Sequence, residues 1–434
     1  MAAALLPGGK PLSATADGIR AFQRKVLFVV LAAVFYNALL AFANARGVPV
    51  TRSIVAITEG FVLAGALLLV IGSGRRAIDS VGFALFAFFL GDALFVSILS
   101  GSLFIDMARN GAIIVLFLLL GARLDERALK TCFLVVAILV AAFLMLELVS
   151  VKSYAAILQP GTYFAQTRGI DLSEVDDAGL FANAVWYEGR FSISSISDHR
   201  TASLFLEQVS LANFSTVLVI YLVAMWPRIR PITRIFFVGL IALILLSNNT
   251  RAGLSLALLA PAVYWAAPRI YRYATLAVMP VLLLVATIVA YSLPPTNEDT
   301  FVGRIGLTVR TLSKLDSTSL IGGRAPSSME FLDSGYTYVI YASSLVGMIV
   351  IWLLVSLACG VRTDAERRCG LMFALFVFIN LLIAGNAVFT IKIAALMWLL
   401  VGFLRNDAAS ADEQTPATFV KSLNRSAMRD PFGS

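Results

Sequence analysis

Runs of about twenty apolar residues, repeated about twelve times, decide what this chain can fold into. They fall at approximately 26–45, 53–73, 79–100, 103–122, 128–150, 201–226, 232–247, 252–268, 273–292, 336–358, 369–386 and 388–405. Each is close to the length needed to cross about 30 Å of hydrocarbon. In that solvent every backbone N–H and C=O needs an internal partner, which leaves helices or closed barrels. The runs are continuously apolar and do not alternate, so helices are expected. Composition agrees: 59% of the 434 residues are hydrophobic and 14% are charged, against about 25% charged in soluble domains. The expectation is an all-α polytopic membrane protein with about 12 transmembrane helices. Its least defined parts are the short run 232–247 and the split near Gly385 and Asn386.

Loop charges set the expected orientation. With Arg20, Arg24 and Lys25 in the cytoplasm, every second short loop is basic: Arg75 and Arg76; Arg123, Arg127 and Lys130; Arg228, Arg230 and Arg234; Arg269 and Arg272; Arg362, Arg367 and Arg368. The chain then divides into a cytoplasmic tail (1–20), five helices (21–150), a large periplasmic loop (151–200), four helices (201–292), a second periplasmic loop (293–335), three helices (336–405) and a disordered cytoplasmic tail (406–434). Both termini are expected on the cytoplasmic side of a bacterial inner membrane. The first apolar run lacks a cleavage pattern and is expected to be retained as a span. The net charge of +8 belongs mostly to these loop anchors, so no nucleic-acid partner is expected. Cys132, Cys359 and Cys369 fall in or near spans, and no periplasmic disulfide is expected.

The long loops are unusual and point to function. Tyr163, Phe164, Phe181, Trp186, Tyr187 and Phe191 could pack the first as a lid with short helices. Its exit, Arg200 to Gln208, carries Arg200 and Glu207 seven residues apart. On a continuous helix these share a face, with Gln208 and Asn213 extending its polar character inward. A glutamate about two turns inside a span is costly unless paired or facing water. It reads either as a structural ion pair or as a carboxylate at the floor of a periplasmic cavity with Arg200 at the rim.

The link Asn248-Asn249-Thr250-Arg251 is a tight turn leading to a helix start, which Thr250 or Asn249 can cap. Free N–H groups there favour an anion, and arginine adds a fork that matches phosphate oxygens. The alternative for Arg251 is snorkelling to headgroups. In the second long loop Arg304, Arg310 and Arg324 accompany Gly322 and Gly323, and Asp333 or Ser334 precedes a helix as its cap. Taken singly, Arg310 and Arg324 read as solvated loop charge. His199 is the one histidine, so a zinc site of the usual kind is not expected. Asp92, Asp106 and Arg109 lie in early spans, the last two spaced for a local pair.

The order of these motifs resembles the Wzy-type polysaccharide polymerase and O-antigen ligase superfamily. Arg200 with Ser203, Phe205 and Glu207 resembles the lead-in to the span after the large loop of exopolysaccharide polymerases. Asn249-Thr250-Arg251-Ala252-Gly253 is similar to the turn that supplies an outer-face arginine. Gly303 and Arg304 with Gly322 and Gly323 resemble the late loop, and Asp333-Ser334-Gly335-Tyr336 with Gly347 the following helix. Gln208 stands where a proline is common. Asp333 stands where many ligases have histidine, which points to polymerases of secreted, xanthan-type polysaccharides. The likeness covers roughly 190–350 in motif and the whole chain in topology.

The resemblance implies a GT-C-type helical fold and an inverting, metal-independent glycosyltransferase with no cofactor. Donor and acceptor would be oligosaccharide repeats on undecaprenyl diphosphate, held at membrane lipid, with a chain-length co-polymerase as a further partner. Arg200, Arg251, Arg304 and Arg324 would bind the diphosphate or glycan, joined by His199, Gln208 and Tyr336. Glu207 or Asp333 would orient or deprotonate the acceptor hydroxyl. Two alternatives stay open: ligation to another acceptor, and a precursor transporter or flippase. A transporter would show inverted repeats and broken helices near mid-membrane.

Overall fold

The computed structural model describes residues 16–171, 179–180, 196–197, 199–294, 300–331, 333–383, 385 and 387–406. Among them the chain is all helical. The order is α1 (Ala16–Asn44), α2 (Arg52–Gly72), α3 (Ala77–Ser100), α4 (Asp106–Gly121) and α5 (Glu126–Val149), then the short α6 (Val151–Leu158) and α7 (Pro160–Arg168). Next come α8 (Gln208–Met225), α9 (Pro231–Asn248), α10 (Arg251–Ala266) and α11 (Thr275–Ser292). The segment after these holds α12 (Phe301–Leu312) and α13 (Ser317–Leu320), and the chain ends with α14 (Gly335–Leu357), α15 (Asp364–Ile383) and α16, residues 391–406.

Eight helices, α1, α2, α3, α5, α8, α9, α11 and α14, are long and apolar enough to cross a membrane. The protein is therefore a multi-pass membrane protein. The expected spans 103–122 and 252–268 contain α4 and α10, each of 16 residues. At 1.5 Å per residue such helices reach about 24 Å, short of a full hydrocarbon thickness of about 30 Å. The short run at 232–247 is the well-formed α9. The split near Gly385 is a short turn of 3-10 helix, Ala387–Phe389, ahead of α16, while Asn386 lies outside the described residues.

Helix starts follow local chemistry. Thr51, Asp125, Thr250 and Thr300 each offer a side-chain oxygen to a backbone N–H three residues on, opening α2, α5, α10 and α12. Pro231 opens α9, where its missing N–H costs nothing. The first helix begins at Ala16, so the end of the expected 1–20 tail is helical. Both long loops contain short helices. Tyr163 and Phe164 of α7 are buried. Phe181, Trp186, Tyr187 and Phe191 lie outside the described residues.

The most enclosed helix is α8, with 89% of its apolar window buried. It packs against α9, α10 and α15. Far apart in sequence, α4 and α16 meet backbone to backbone. A Cβ on Gly121 would strike the Leu399 carbonyl, and one on Gly402 would strike the Leu118 carbonyl. Glycine is required at both crossings.

One expectation is overturned by the start of α8. The apolar run from 201 is not helical until Gln208. Ser203–Phe205 form a single 3-10 turn, and Ser203 and Leu206 take positive φ of 48° and 62°. The cause is Glu147, wholly buried on α5. Its carboxylate accepts the backbone N–H groups of Ala202 (3.1 Å) and Ser203 (2.7 Å) and lies 3.4 Å from His199 Nε2. The Ser203 hydroxyl donates to the Val140 carbonyl, and Tyr154 donates to the Ser203 carbonyl. Those bonds hold 199–206 out of helical geometry, so Arg200 and Glu207 do not share a helix face.

The local Asp106–Arg109 pair is also overturned. Arg109 reaches Glu59 on α2 through two bonds, 2.6 and 2.7 Å, and Glu59 accepts a third from Tyr36. A bidentate fork to a buried carboxylate outcompetes a neighbour on the same helix. Asp106 instead accepts from Tyr338 of α14.

Glu147→Ala is expected to lower stability by roughly 2–5 kcal/mol, since two buried N–H groups and His199 lose their partner. The readout is the temperature at which monodisperse protein is lost in detergent. An unchanged midpoint would show that 199–206 holds its shape without the carboxylate.

Candidate functional site

A cleft forms where α8 and α10 begin and α9 ends, walled also by α12 and α15. Arg200, Arg251 and Arg304 all line it, from three stretches distant in sequence. Val209, Ala212, Asn213 and Thr216 form the α8 wall, and Asn249, Thr250 and Gly253 the turn before and into α10. Thr300, Phe301, Asn380 and Ile383 close it. Among the described residues no carboxylate lines the cleft. Three guanidinium groups line it.

Each arginine is placed by backbone bonds. Arg200 Nε donates to the Asn248 carbonyl at 3.1 Å. Asn248 is buried, and its own amide donates to the carbonyls of Thr201 (2.6 Å) and Gln208 (2.9 Å). This one side chain ties the end of α9 to both sides of the irregular segment. Asn249 takes φ of 53°, reversing the chain so that Thr250 caps α10 and Arg251 becomes its first residue. Thr300 caps α12, which sets Arg304 one turn in, with Nη1 donating to the Ile383 carbonyl at 2.8 Å. Asp333 lies 3.8 Å from Arg304 and is largely exposed, so it stands near the cleft without lining it.

Asn213 adds a polar wall. It is 6% exposed, lines the cleft, and its Nδ2 has no hydrogen-bond partner among the described residues. An orphaned buried amide carries a desolvation cost of about 1–3 kcal/mol, which a bound acceptor would relieve. Further along the same face of α8 a separate apolar furrow of about 720 Å³ lies between α8, α9 and α10. Val219, Leu222, Val223, Leu245, Pro261 and Trp265 are among its walls.

Other sequence-derived candidates lie elsewhere. Glu207 caps the approach to α8 but turns away from the cleft. It is bonded by Arg168 (3.1 Å), Lys392 (3.2 Å) and the Ser210 hydroxyl (3.0 Å). Burial alone would raise its carboxyl. The Lys392 ammonium and Arg168 guanidinium overcome that and hold it below the ordinary carboxylate range. Such a group is a weak proton acceptor. His199 is buried between Ser197 and Glu147, and Gln208 is buried with its carbonyl on Asn248. Tyr336 is buried and donates to the Phe378 carbonyl at 3.0 Å. Arg324 pairs with Asp316 at 2.6 Å. Ser334 precedes α14, yet its hydroxyl joins those of Thr311 and Thr337 and makes no cap bond.

Three charged groups were missed from sequence. Lys392, Glu147 and Glu59 all fall inside predicted apolar spans. An ionisable residue at such a position was itself the signal. Arg168 falls in the first long loop, with no sequence feature that sets it apart.

No protein-family model, no characterised protein and no solved structure matches this chain.

The Glu207 network is expected to be a structural clamp. In a double-mutant cycle of Glu207→Gln and Lys392→Met, we expect a coupling of about 1–3 kcal/mol in thermal stability. The depressed carboxyl fixes the sign with pH. Its contribution is complete above the ordinary carboxylate range and falls as pH drops toward the folded-state value. Glu207→Gln should therefore flatten the acid limb of the stability profile. Additive single mutants would dissolve the clamp.

Proposed function

We propose that this protein polymerises undecaprenyl-diphosphate-linked oligosaccharide repeats into exopolysaccharide, as an inverting, metal-independent glycosyltransferase of the periplasmic face of a bacterial inner membrane. The observation that carries the reading is the convergence of Arg200, Arg251 and Arg304 on one cleft. A ligand with several adjacent phosphate oxygens suits three forks. The apolar furrow beside them suits the hydrocarbon chain of the same molecule. On this reading α4, α10, α15 and α16 complete twelve crossings in a GT-C-type arrangement, with both termini cytoplasmic.

The chemistry assigned to these residues is a single displacement. An acceptor hydroxyl oxygen attacks the anomeric carbon of the donor sugar, and the bond from that carbon to the lipid diphosphate breaks. Charge collects on the departing diphosphate, where Arg200, Arg251 and Arg304 stabilise it. The hydroxyl proton passes to a carboxylate. Asp333, beside Arg304, now stands ahead of Glu207 for that role, because Glu207 is clamped by two cations and turned from the cleft. Asn213 would hydrogen-bond the diphosphate or the first sugar.

A second reading, transport of the precursor, draws on a break in α14 at Ser344, a feature typical of transporters. Deletion of the gene separates the two. Lost polymerisation leaves single lipid-linked repeats exposed outside, and lost transport leaves them inside.

Arg200→Ala and Arg251→Ala are expected to abolish polymer formation from purified lipid-linked repeats at normal protein levels. Lysine should restore little, since a point charge does not replace the fork. Full polymer from Arg251→Ala would reduce that residue to a headgroup anchor, and a strict need for added divalent metal would sink the mechanism.

The topology has its own test. Cysteine placed at Ser317 should label from outside intact cells, and cysteine at Ser410 should not. The reverse pattern would invert the orientation.

A further inference from the structure

Outside the arginine cleft, α14 breaks in mid-course. Ser344 has φ of 85° and ψ of 168°, a region that essentially only glycine adopts, so the helix runs as two pieces end to end. Such geometry persists where surrounding contacts over-determine it, and it concentrates at ligand sites.

The break faces a buried carboxylate. Asp92 lies on α3, 9% exposed. Counted along α3, it is about 22 Å from the Ala77 end and about 12 Å from the Ser100 end, well inside the apolar thickness. The Ser344 hydroxyl donates to Asp92 Oδ1 at 3.3 Å. The Gly347 amide, which in an unbroken helix would reach the Ser343 carbonyl, instead donates to the Ser344 hydroxyl at 3.4 Å. The break thus releases the Ser343 carbonyl from that bond. The Ser343 hydroxyl donates to the Val339 carbonyl at 2.8 Å. Asp92 Oδ2 is buried and has no hydrogen-bond partner among the described residues, and no basic side chain pairs with Asp92 among them.

Counting protons shows what is missing. Both serine hydroxyl protons are already committed, one to Val339 and one to Asp92 Oδ1. What remains turned toward the break is lone pairs: Oδ2, the Ser343 hydroxyl oxygen and the Ser344 hydroxyl oxygen. Gly347 keeps the place open. A Cβ there would strike the Ser343 hydroxyl and stand 3.1 Å from Asp92 Oδ2. A buried anion surrounded by oxygen acceptors calls for a small positive partner, and an all-oxygen donor set suits a hard cation.

We propose that Asp92, Ser343 and Ser344 bind one sodium ion at the break in α14. A single positive charge neutralises the lone carboxylate, whereas a divalent ion would leave excess charge inside the membrane. The ion would pin α3 to α14 at the strained residue. This site shares no residue with the arginine cleft and does not depend on the polymerase reading.

The test uses the full chain purified in detergent, with sodium chloride exchanged against choline chloride at constant ionic strength and potassium chloride as comparator. Thermal unfolding is followed by tryptophan fluorescence. Sodium is expected to raise the wild-type midpoint by several degrees in a saturable way, with choline giving no such rise and potassium much less. Asp92→Asn should abolish the sodium response. Ser343→Ala, which keeps the carboxylate and the Ser344 bond, should move the half-saturating sodium concentration upward about tenfold and thus reports even if Asp92→Asn fails to fold. Equal wild-type midpoints in sodium and choline would overturn the proposal and leave a proton or a water as the occupant. An unchanged sodium response in Ser343→Ala or in folded Asp92→Asn would overturn it as well.

Discussion

One buried carboxylate shapes everything at the functional end of this protein. Glu147 sits on α5 with no exposure and takes its hydrogen bonds from the backbone of another segment, Ala202 and Ser203. A charge in such a place is tolerated because those N–H groups solvate it. The same bonds forbid helix at 202–203. The chain therefore arrives at α8 as an irregular strap, and Arg200 is delivered to the end of α9, where Asn248 receives it. Without that anchor the apolar run would continue as helix, and Arg200 would travel round with it.

The protein arranges its charged groups in two ways. Glu59 with Arg109, and Glu207 with Arg168 and Lys392, form ion pairs that join separate elements. Arg200, Arg251 and Arg304 gather on one cleft wall with no acid among its described lining. Paired charges of the first kind satisfy themselves and hold geometry. Guanidinium groups that converge on one cavity raise the positive potential met by an anionic ligand there. Glu207, the most conspicuous acid by sequence, belongs to the first kind.

Much of this was legible from the amino acids, and the failures share a cause. Apolar runs locate helices because lipid leaves the backbone few options. Thr250 as cap and Arg251 as first helical residue follow from the turn Asn248–Asn249. The grouping of Arg200 with Glu207 failed because helical periodicity assumes an unbroken helix, and Glu147, 55 residues away, breaks it. The Asp106–Arg109 pair failed similarly, since a spacing rule sees its own helix and not Glu59 on the next. Tyr336 and His199 are polar by type but are consumed by the Phe378 carbonyl and by Glu147. Hydrogen-bond partners distant in sequence are what pattern reading cannot supply.

The glycine crossing of α4 and α16 has a consequence for how the chain is made. Gly121 and Gly402 are 281 positions apart in the sequence. At about 5–20 residues per second, ribosomal synthesis separates them by roughly 15–55 seconds. Throughout that interval α4 lacks its α16 neighbour, and Glu207, 185 positions ahead of Lys392, waits roughly 10–35 seconds for that partner. Closure of the bundle is therefore a late, long-range event, and the half-built protein must be sheltered by lipid or by insertion machinery until its final helix emerges.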